Sequence, residues 1–190
     1  PPTAPREPHR WKRPTGDVDD HFAWMRNLDD PRLVEYLEAE NSYGDAWFAP
    51  HTELVESIFG EIKSRVQETD VSTPVLNGGW WYVGSTIEGS DYPLHHRGRS
   101  AEHATESLLL DENLEAARAG ADGYFDLGAL DASHDHTMLA WSFDTTGDEH
   151  YTLRIRRFGD DGSHEDLRDQ IASVANSGTA WSSDGSMLFY

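Results

Sequence analysis

The sequence predicts a mixed fold, an α-helical N-terminal arm followed by a domain of antiparallel strands. Three observations predict it. Apolar residues recur at helical spacing up to Val66 and at strand spacing after Pro74. Between Tyr124 and Phe158 three short apolar or alternating runs, Phe125–Leu130, Met138–Phe143 and Tyr151–Phe158, are separated by the polar stretches Asp131–His136 and Asp144–His150. Finally, Ser133–Trp141 partly repeats as Ser182–Tyr190, with Ser, Asp, Met and Leu recurring 49 residues on. A period of about 40–50 residues with roughly four strands per unit fits a β-propeller blade. S-x-D-G-x-x-L-x-Y is also an ordinary hairpin, so spacing alone leaves propeller and sandwich both open.

Residues 1–16 carry five of the nine prolines and should be extended, lying on another surface with Trp11 as anchor. The aromatic cluster of Val18–Asn27 reads as a short helical turn tucking Phe22 and Trp24 into a core. Asp29-Asp30-Pro31 is a helix start, since Asp accepts from orphan amides and Pro fits the first helical position. Leu33, Tyr36, Leu37, Tyr43 and Trp47 then fall near one face, interrupted by Glu40 and Asn41. A buried Asn beside a Glu is expected to fix a neighbouring backbone. After Pro50, Leu54, Ile58, Ile62 and Val66 recur every four residues beside Val55 and Phe59, the stripe of a core-packing helix. Two such helices cannot bury their faces on each other alone, which implies a larger partner domain.

Helical periodicity stops at Asp70–Pro74, and Pro74 disfavours helix at Thr73. The boundary therefore falls near residues 68–74, giving an arm of residues 1–70 and a strand domain of residues 71–190. Val75-Leu76, Asn77-Gly78-Gly79 and Trp80–Val83 predict a hairpin, because Asn-Gly suits the mirror-image turns that join paired strands. Tyr92–Arg97 and Ser107–Leu110 are further strands, and Glu112–Ala119 a short helix stopped by Gly120. In Tyr151–Phe158, positions 151, 153, 155 and 157 alternate with Thr152, Arg154 and Arg156, the period of a strand. Asp160–Ser163 reads as a turn and Leu167–Ile171 as an outer strand.

Fifteen Lys and Arg stand against 35 Asp and Glu, a formal charge of −20. Such a surface repels nucleic acid and anionic membranes, so neither is an expected partner. It attracts cationic substrates, or serves solubility. With no Cys, disulfides and cysteine metal sites are excluded and a cytoplasmic location is expected. No apolar run approaches the ~18–20 residues of a membrane helix. The proline-rich, basic N-terminus is no secretory signal. Ser186–Tyr190 reads as a strand in progress, so a longer polypeptide is expected, and the piece alone should fold poorly with its sheet edges open.

Catalytic motifs are missing. There is no G-x-S-x-G elbow, no H-E-x-x-H and no phosphate-cradling Gly loop. His95-His96 and His134-x-His136 are the only spacings that invite a metal, and no third ligand is obvious, so none is expected. Asp160-Asp161-Gly162 lacks the twelve-residue spacing of a calcium loop.

Three segments, Val18–Tyr43, Leu108–Asn113 and Leu127–Phe158 with its partner Ala180–Tyr190, together resemble the N-terminal third of prolyl oligopeptidase-family serine peptidases, most closely the oligopeptidase B (protease II) branch. The D-x-T-G-x-E-x-Y-T-L run of Asp144–Leu153 is the most specific piece. The resemblance implies a helical arm, then the first two or so blades of a seven-bladed propeller inserted before an α/β-hydrolase domain. The remaining blades and that hydrolase domain would be partners in the same polypeptide. The family's Ser, Asp and His lie in the hydrolase domain, so no catalytic residue is assigned in this chain and the piece alone should be inactive. The implied activity is hydrolysis of short peptides after Arg or Lys, with no cofactor and with the propeller gating access. Glu149 and Asp144 are the candidate interdomain and gating groups. Glu149 would pair with an Arg of the hydrolase domain or with a basic substrate; the alternative is a turn carboxylate capping local amides. Prolyl specificity within the same family and a non-catalytic propeller-type binding module stay as alternatives.

Overall fold

A computed structural model describes residues 1–120 and 124–190, and the chain divides at Val66 into two units, Pro1–Val66 and Gln67–Tyr190. In the first unit β1 (Arg10–Trp11) pairs antiparallel with β2 (Val18–Asp19). The Trp11 indole N–H donates to Asp20 at 3.0 Å, which fixes the proline-rich segment to the hairpin. A single 3₁₀ turn, Ala23–Arg26, buries Trp24, whose N–H donates to the Pro5 carbonyl at 2.9 Å. Phe22 does not join it and stays 41% exposed. Two residues apart on a helix of three residues per turn, the two rings cannot point the same way.

Helix α1 (Pro31–Phe48) starts as its sequence requires: the Asp30 carboxylate accepts the Arg32 N–H at 3.0 Å and Pro31 occupies the first turn. Glu40 accepts the Tyr36 hydroxyl at 2.5 Å. Asn41 is exposed, contrary to the expected buried amide, because no side chain of α1 is buried in this unit. The stripe on α2 (Thr52–Lys63) is likewise uncovered. Leu54 is 58% and Ile62 60% exposed, so the expected core packing is not made within the described residues.

The second unit begins with β3 (Asp70–Val71), β4 (Val75–Asn77) and β5 (Trp80–Thr86). Asn77 pairs with Trp80 across a two-residue turn in which Gly78 and Gly79 have φ of +54° and +85°. That conformation is why Asn-Gly-Gly stands there. Strands β6 (Leu94–Gly98) and β7 (Ser107–Asp111) complete a sheet ordered β3-β5-β6-β7, with β4 also on β5. Asp111 then caps α3 (Glu112–Ala119) through the Leu114 N–H at 3.1 Å, and Gly120, at φ +66°, ends it.

A four-stranded antiparallel meander follows: β8 (Asp126–Ala132), β9 (Met138–Asp144), β10 (Tyr151–Phe158) and β11 (His164–Val174), in that spatial order. A last pair, β12 (Ala180–Trp181) and β13 (Leu188–Phe189), starts a third sheet. Alternation along β9 sends its side chains into two cores. Leu139, Trp141 and Phe143 pack with Leu109, Leu110, Ala116 and Phe125. Ala140, with Tyr151, Leu153 and Val174, packs toward Trp181 and Leu188. Three sheets thus stack face to face in series, the packing of successive propeller blades rather than a two-layer sandwich. The sequence repeat is the turn that re-enters each blade. Ser133 Oγ accepts the Met138 N–H at 3.0 Å and donates to Asp135 at 2.7 Å. Ser182 repeats this with Met187 at 2.9 Å and Asp184 at 2.7 Å. His136 (φ +59°) and Gly185 (φ +68°) occupy the same left-handed position.

Candidate functional site

The most specific sequence motif forms the loop between β9 and β10. Asp144, 2% exposed, ends β9 and turns its carboxylate back into the loop. Oδ1 accepts the N–H of Thr146 at 2.7 Å and of Gly147 at 3.2 Å, and the Thr146 hydroxyl at 2.9 Å. Oδ2 accepts the Glu149 N–H at 2.9 Å. The Thr146 amide, then the Thr146 hydroxyl and the other amides, outweigh burial and hold this carboxyl below its usual range. Gly147 at φ +78° and Glu149 at φ +62° let the backbone wrap the carboxylate. Asp148 shares the single Thr146 hydroxyl proton with Asp144, at 2.8 Å, and accepts the His150 N–H at 3.1 Å. Beyond the loop, Tyr151 donates its hydroxyl to Asp126, and that bond raises the phenol's pKa. Asp144, Thr146 and Gly147 of D-x-T-G-x-E-x-Y thus have local structural roles, and Tyr151 reaches back to β8, while the Glu149 side chain has no such role.

The two candidates are placed unlike one another. Asp144 is the buried centre of the loop and caps its amides. Glu149 is exposed, held by its backbone N–H, and its side chain makes no hydrogen bond among the described residues. A carboxylate presented on a loop whose shape is fixed from beneath can meet an incoming cation without reorganising the backbone.

One consequence is measurable. The lowered pKa of Asp144 gives stability that is complete above the unfolded carboxylate value of about 3.9 and is lost as pH falls through the folded value. Asp144→Ala should strip hydrogen-exchange protection from the Thr146, Gly147 and Glu149 amides together. The β9–β10 ladder should keep its own. Unchanged protection at those three amides would refute the loop's dependence on Asp144.

The histidines do not assemble. His95 Nε2 meets Glu112 at 2.6 Å, while His96, its neighbour on β6, turns to the Ser85 hydroxyl at 2.9 Å. His136 Nδ1 meets the Tyr82 hydroxyl at 2.6 Å, and His134 is exposed. Among the described residues no three His, Cys, Asp or Glu lie where they could hold a metal. No helix there is long and apolar enough to cross a membrane.

Two basic features escaped the sequence reading. Arg156 is 2% exposed, bonded to Asp166 at 2.6 Å, Glu115 at 2.7 Å and the Leu109 carbonyl at 3.0 Å. Arg97 is 7% exposed and lies between the rings of Trp80 and Phe158. Neither strand marks its Arg out in sequence, since β10 carries three Arg and β6 has two His before Arg97.

Residues 1–190 match the family described as prolyl oligopeptidase, N-terminal β-propeller domain. Dipeptidyl aminopeptidase BI of Pseudoxanthomonas mexicana is 35% identical over 208 residues, which take in 100% of this chain and 28% of that protein. Protease 2 of Moraxella lacunata is 30% identical over 196 residues, 27% of its length. Among solved structures, oligopeptidase B from Leishmania major superposes with a TM-score of 0.77 and 25% identity, over 95% of this chain and 27% of that one. The chain thus spans about a quarter of the length of the proteins it matches.

Proposed function

Because the chain belongs to the prolyl oligopeptidase family of serine peptidases, we propose that it is the helical arm and first blades of a cytoplasmic oligopeptidase that cleaves short peptides after Arg or Lys. The observation that carries this reading is the match over all of residues 1–190, which includes the ordered Asp144–Glu149 loop. In the whole protein a serine attacks the peptide carbonyl, a histidine acts as base and then acid, an aspartate orients it, and an oxyanion hole stabilises the intermediate. Those groups belong to a hydrolase domain beyond the propeller; residues of this chain bind, orient and exclude. No cofactor is required.

Residues 1–70 serve as the arm and residues 71–190 as about two blades. The uncovered stripe of Leu54, Ile58 and Ile62 packs on the peptidase domain, which supplies the missing core. Glu149 faces the interdomain cavity and pairs there with an Arg of the hydrolase domain or with the basic side chain of the substrate. Closure around that contact sequesters the substrate from water and admits only short peptides. The charge of −20 draws cationic peptides toward the cavity.

The test is hydrolysis by the full-length protein of fluorogenic peptides carrying Arg, Lys or Pro before the cleaved bond, each with a free and a blocked amino terminus. Blocked Arg and Lys peptides should be cleaved, with loss of activity to a serine-directed inhibitor, and Pro peptides should not. The 35% identity to a dipeptidyl aminopeptidase favours a second reading, release of dipeptides from free amino termini. Cleavage of unblocked dipeptide substrates alone would select it. Preference for Pro would move the protein to the prolyl branch, and no hydrolysis at all would leave a propeller-type binding module.

A further inference from the structure

A cavity of about 700 Å³ opens between the first and second sheets of the strand unit. Its walls are the start of β5, the end of β6, the β8–β9 turn and the β10–β11 turn. In an antiparallel meander the β8–β9 and β10–β11 turns share one end, and the β9–β10 loop lies at the other. The cavity is therefore at the opposite end of the blade from Glu149.

Its cationic groups are unusually placed. The Arg97 guanidinium sits 4.2 Å from the centre of the Trp80 ring and 4.7 Å from that of Phe158, and the Arg99 guanidinium 3.4 Å from Trp80. Arg97 donates one N–H to the His136 carbonyl at 2.5 Å, and its buried Nε has no partner among the described residues. Among the described residues neither Arg97 nor Arg99 forms an ion pair, in a chain where acids outnumber bases 35 to 15. An Arg buried to this degree is normally paired. The nearby acids do not serve. Asp135 and Asp161 also line the cavity, but their hydrogen bonds come from Ser133, Thr137 and Ser163 rather than from an Arg. Glu106 and Asp160 line the cavity and give it an acidic rim. Such a rim repels a polyanion, whereas a small anion that enters the cavity meets two guanidiniums on its wall. Two guanidiniums held by an aromatic ring suit a tetrahedral dianion, which can accept from several N–H donors at once.

We propose that Arg97 and Arg99 form a binding site for a small oxyanion of the phosphate class, on the propeller face opposite the Glu149 loop. The ligand would bridge the two sheets, since Arg97 and Arg99 come from the first, and Phe158 and the β10–β11 turn from the second. Binding then stabilises the folded propeller by mass action.

The experiment titrates inorganic phosphate into the full-length protein and reads the melting temperature, with chloride at matched ionic strength as reference and succinate as a dicarboxylate arm. The expected result is a saturable rise with phosphate that exceeds both. Arg99→Gln, at an exposed position, should lower the phosphate-free melting temperature only slightly, through lost stacking on Trp80, and weaken phosphate binding about tenfold or more. Arg97→Lys, which keeps the charge but loses the planar fork, should also weaken it. No phosphate response beyond chloride overturns the site, as does an equal response in Arg99→Gln. A response to succinate in preference to phosphate overturns the assigned ligand class.

Discussion

Arg156→Ala should destabilise the strand unit by about 3–5 kcal/mol, the loss expected when one partner of a buried ion cluster is removed. Arg156 comes from β10, and its three acceptors come from three other elements: Asp166 from β11, Glu115 from α3 and the Leu109 carbonyl from β7. One side chain thus ties the first sheet and its helix to the second sheet. Glu115 is itself 2% exposed, and without Arg156 its one remaining ion-pair partner among the described residues is Arg118, whose side chain is half exposed. An uncompensated carboxylate in that position is the main source of the loss. Arg156→Lys should recover only part of it, because an ammonium cannot serve Asp166 and Glu115 with one planar fork. The denaturant midpoint of the full-length protein, with hydrogen exchange in β9–β11 to localise the effect, gives the measurement. A loss below about 1 kcal/mol, the size of an exposed pair, would show that the cluster does not join the blades.

Trp141→Ala should cost a similar amount, about 3–5 kcal/mol, for a different reason. Trp141 is fully buried and stacks on Phe143 at a centroid distance of 5.3 Å, in the core shared by the first two sheets. Truncation leaves a cavity that rigid strands on both sides cannot collapse. Its indole N–H has no partner among the described residues, so Trp141→Phe removes an unsatisfied donor along with some volume and should cost about 1 kcal/mol or less. Equal losses in the two variants would mean that volume is not what the core reads at this position.

Much of the fold was legible because its signals are local. Asn77-Gly78-Gly79 needs positive φ, Asp30-Pro31 caps a helix, and Asp111 with Gly120 brackets one, each within a few residues. The Ser133 and Ser182 repeats were visible for the same reason, since one hydrogen-bonded turn dictates both. The Asp144–Glu149 loop is equally local: every bond to Asp144 comes from within five residues. What escaped depends on distant partners. Arg154 and Arg156 look alike in sequence, but only Arg156 finds a carboxylate 41 positions away and a carbonyl 47 positions away. Arg97 is buried by Trp80 and Phe158, and no periodicity links those three. The stripe on α2 was read as apolar and as needing a cover beyond the two helices, and it is uncovered among the described residues, but its spacing does not say what covers it.

The most direct test of the proposed role is kcat/KM of the full-length protein for a blocked Arg-linked peptide, compared between the unaltered enzyme and Glu149→Gln. The substitution keeps the shape, removes the charge and touches none of the bonds that order the loop. A fall of about tenfold or more is predicted, with the unfolding midpoint unchanged, as expected for the loss of a charged contact made on closure. An unchanged kcat/KM would contradict the account and leave Glu149 as a solvated residue on the surface of a blade.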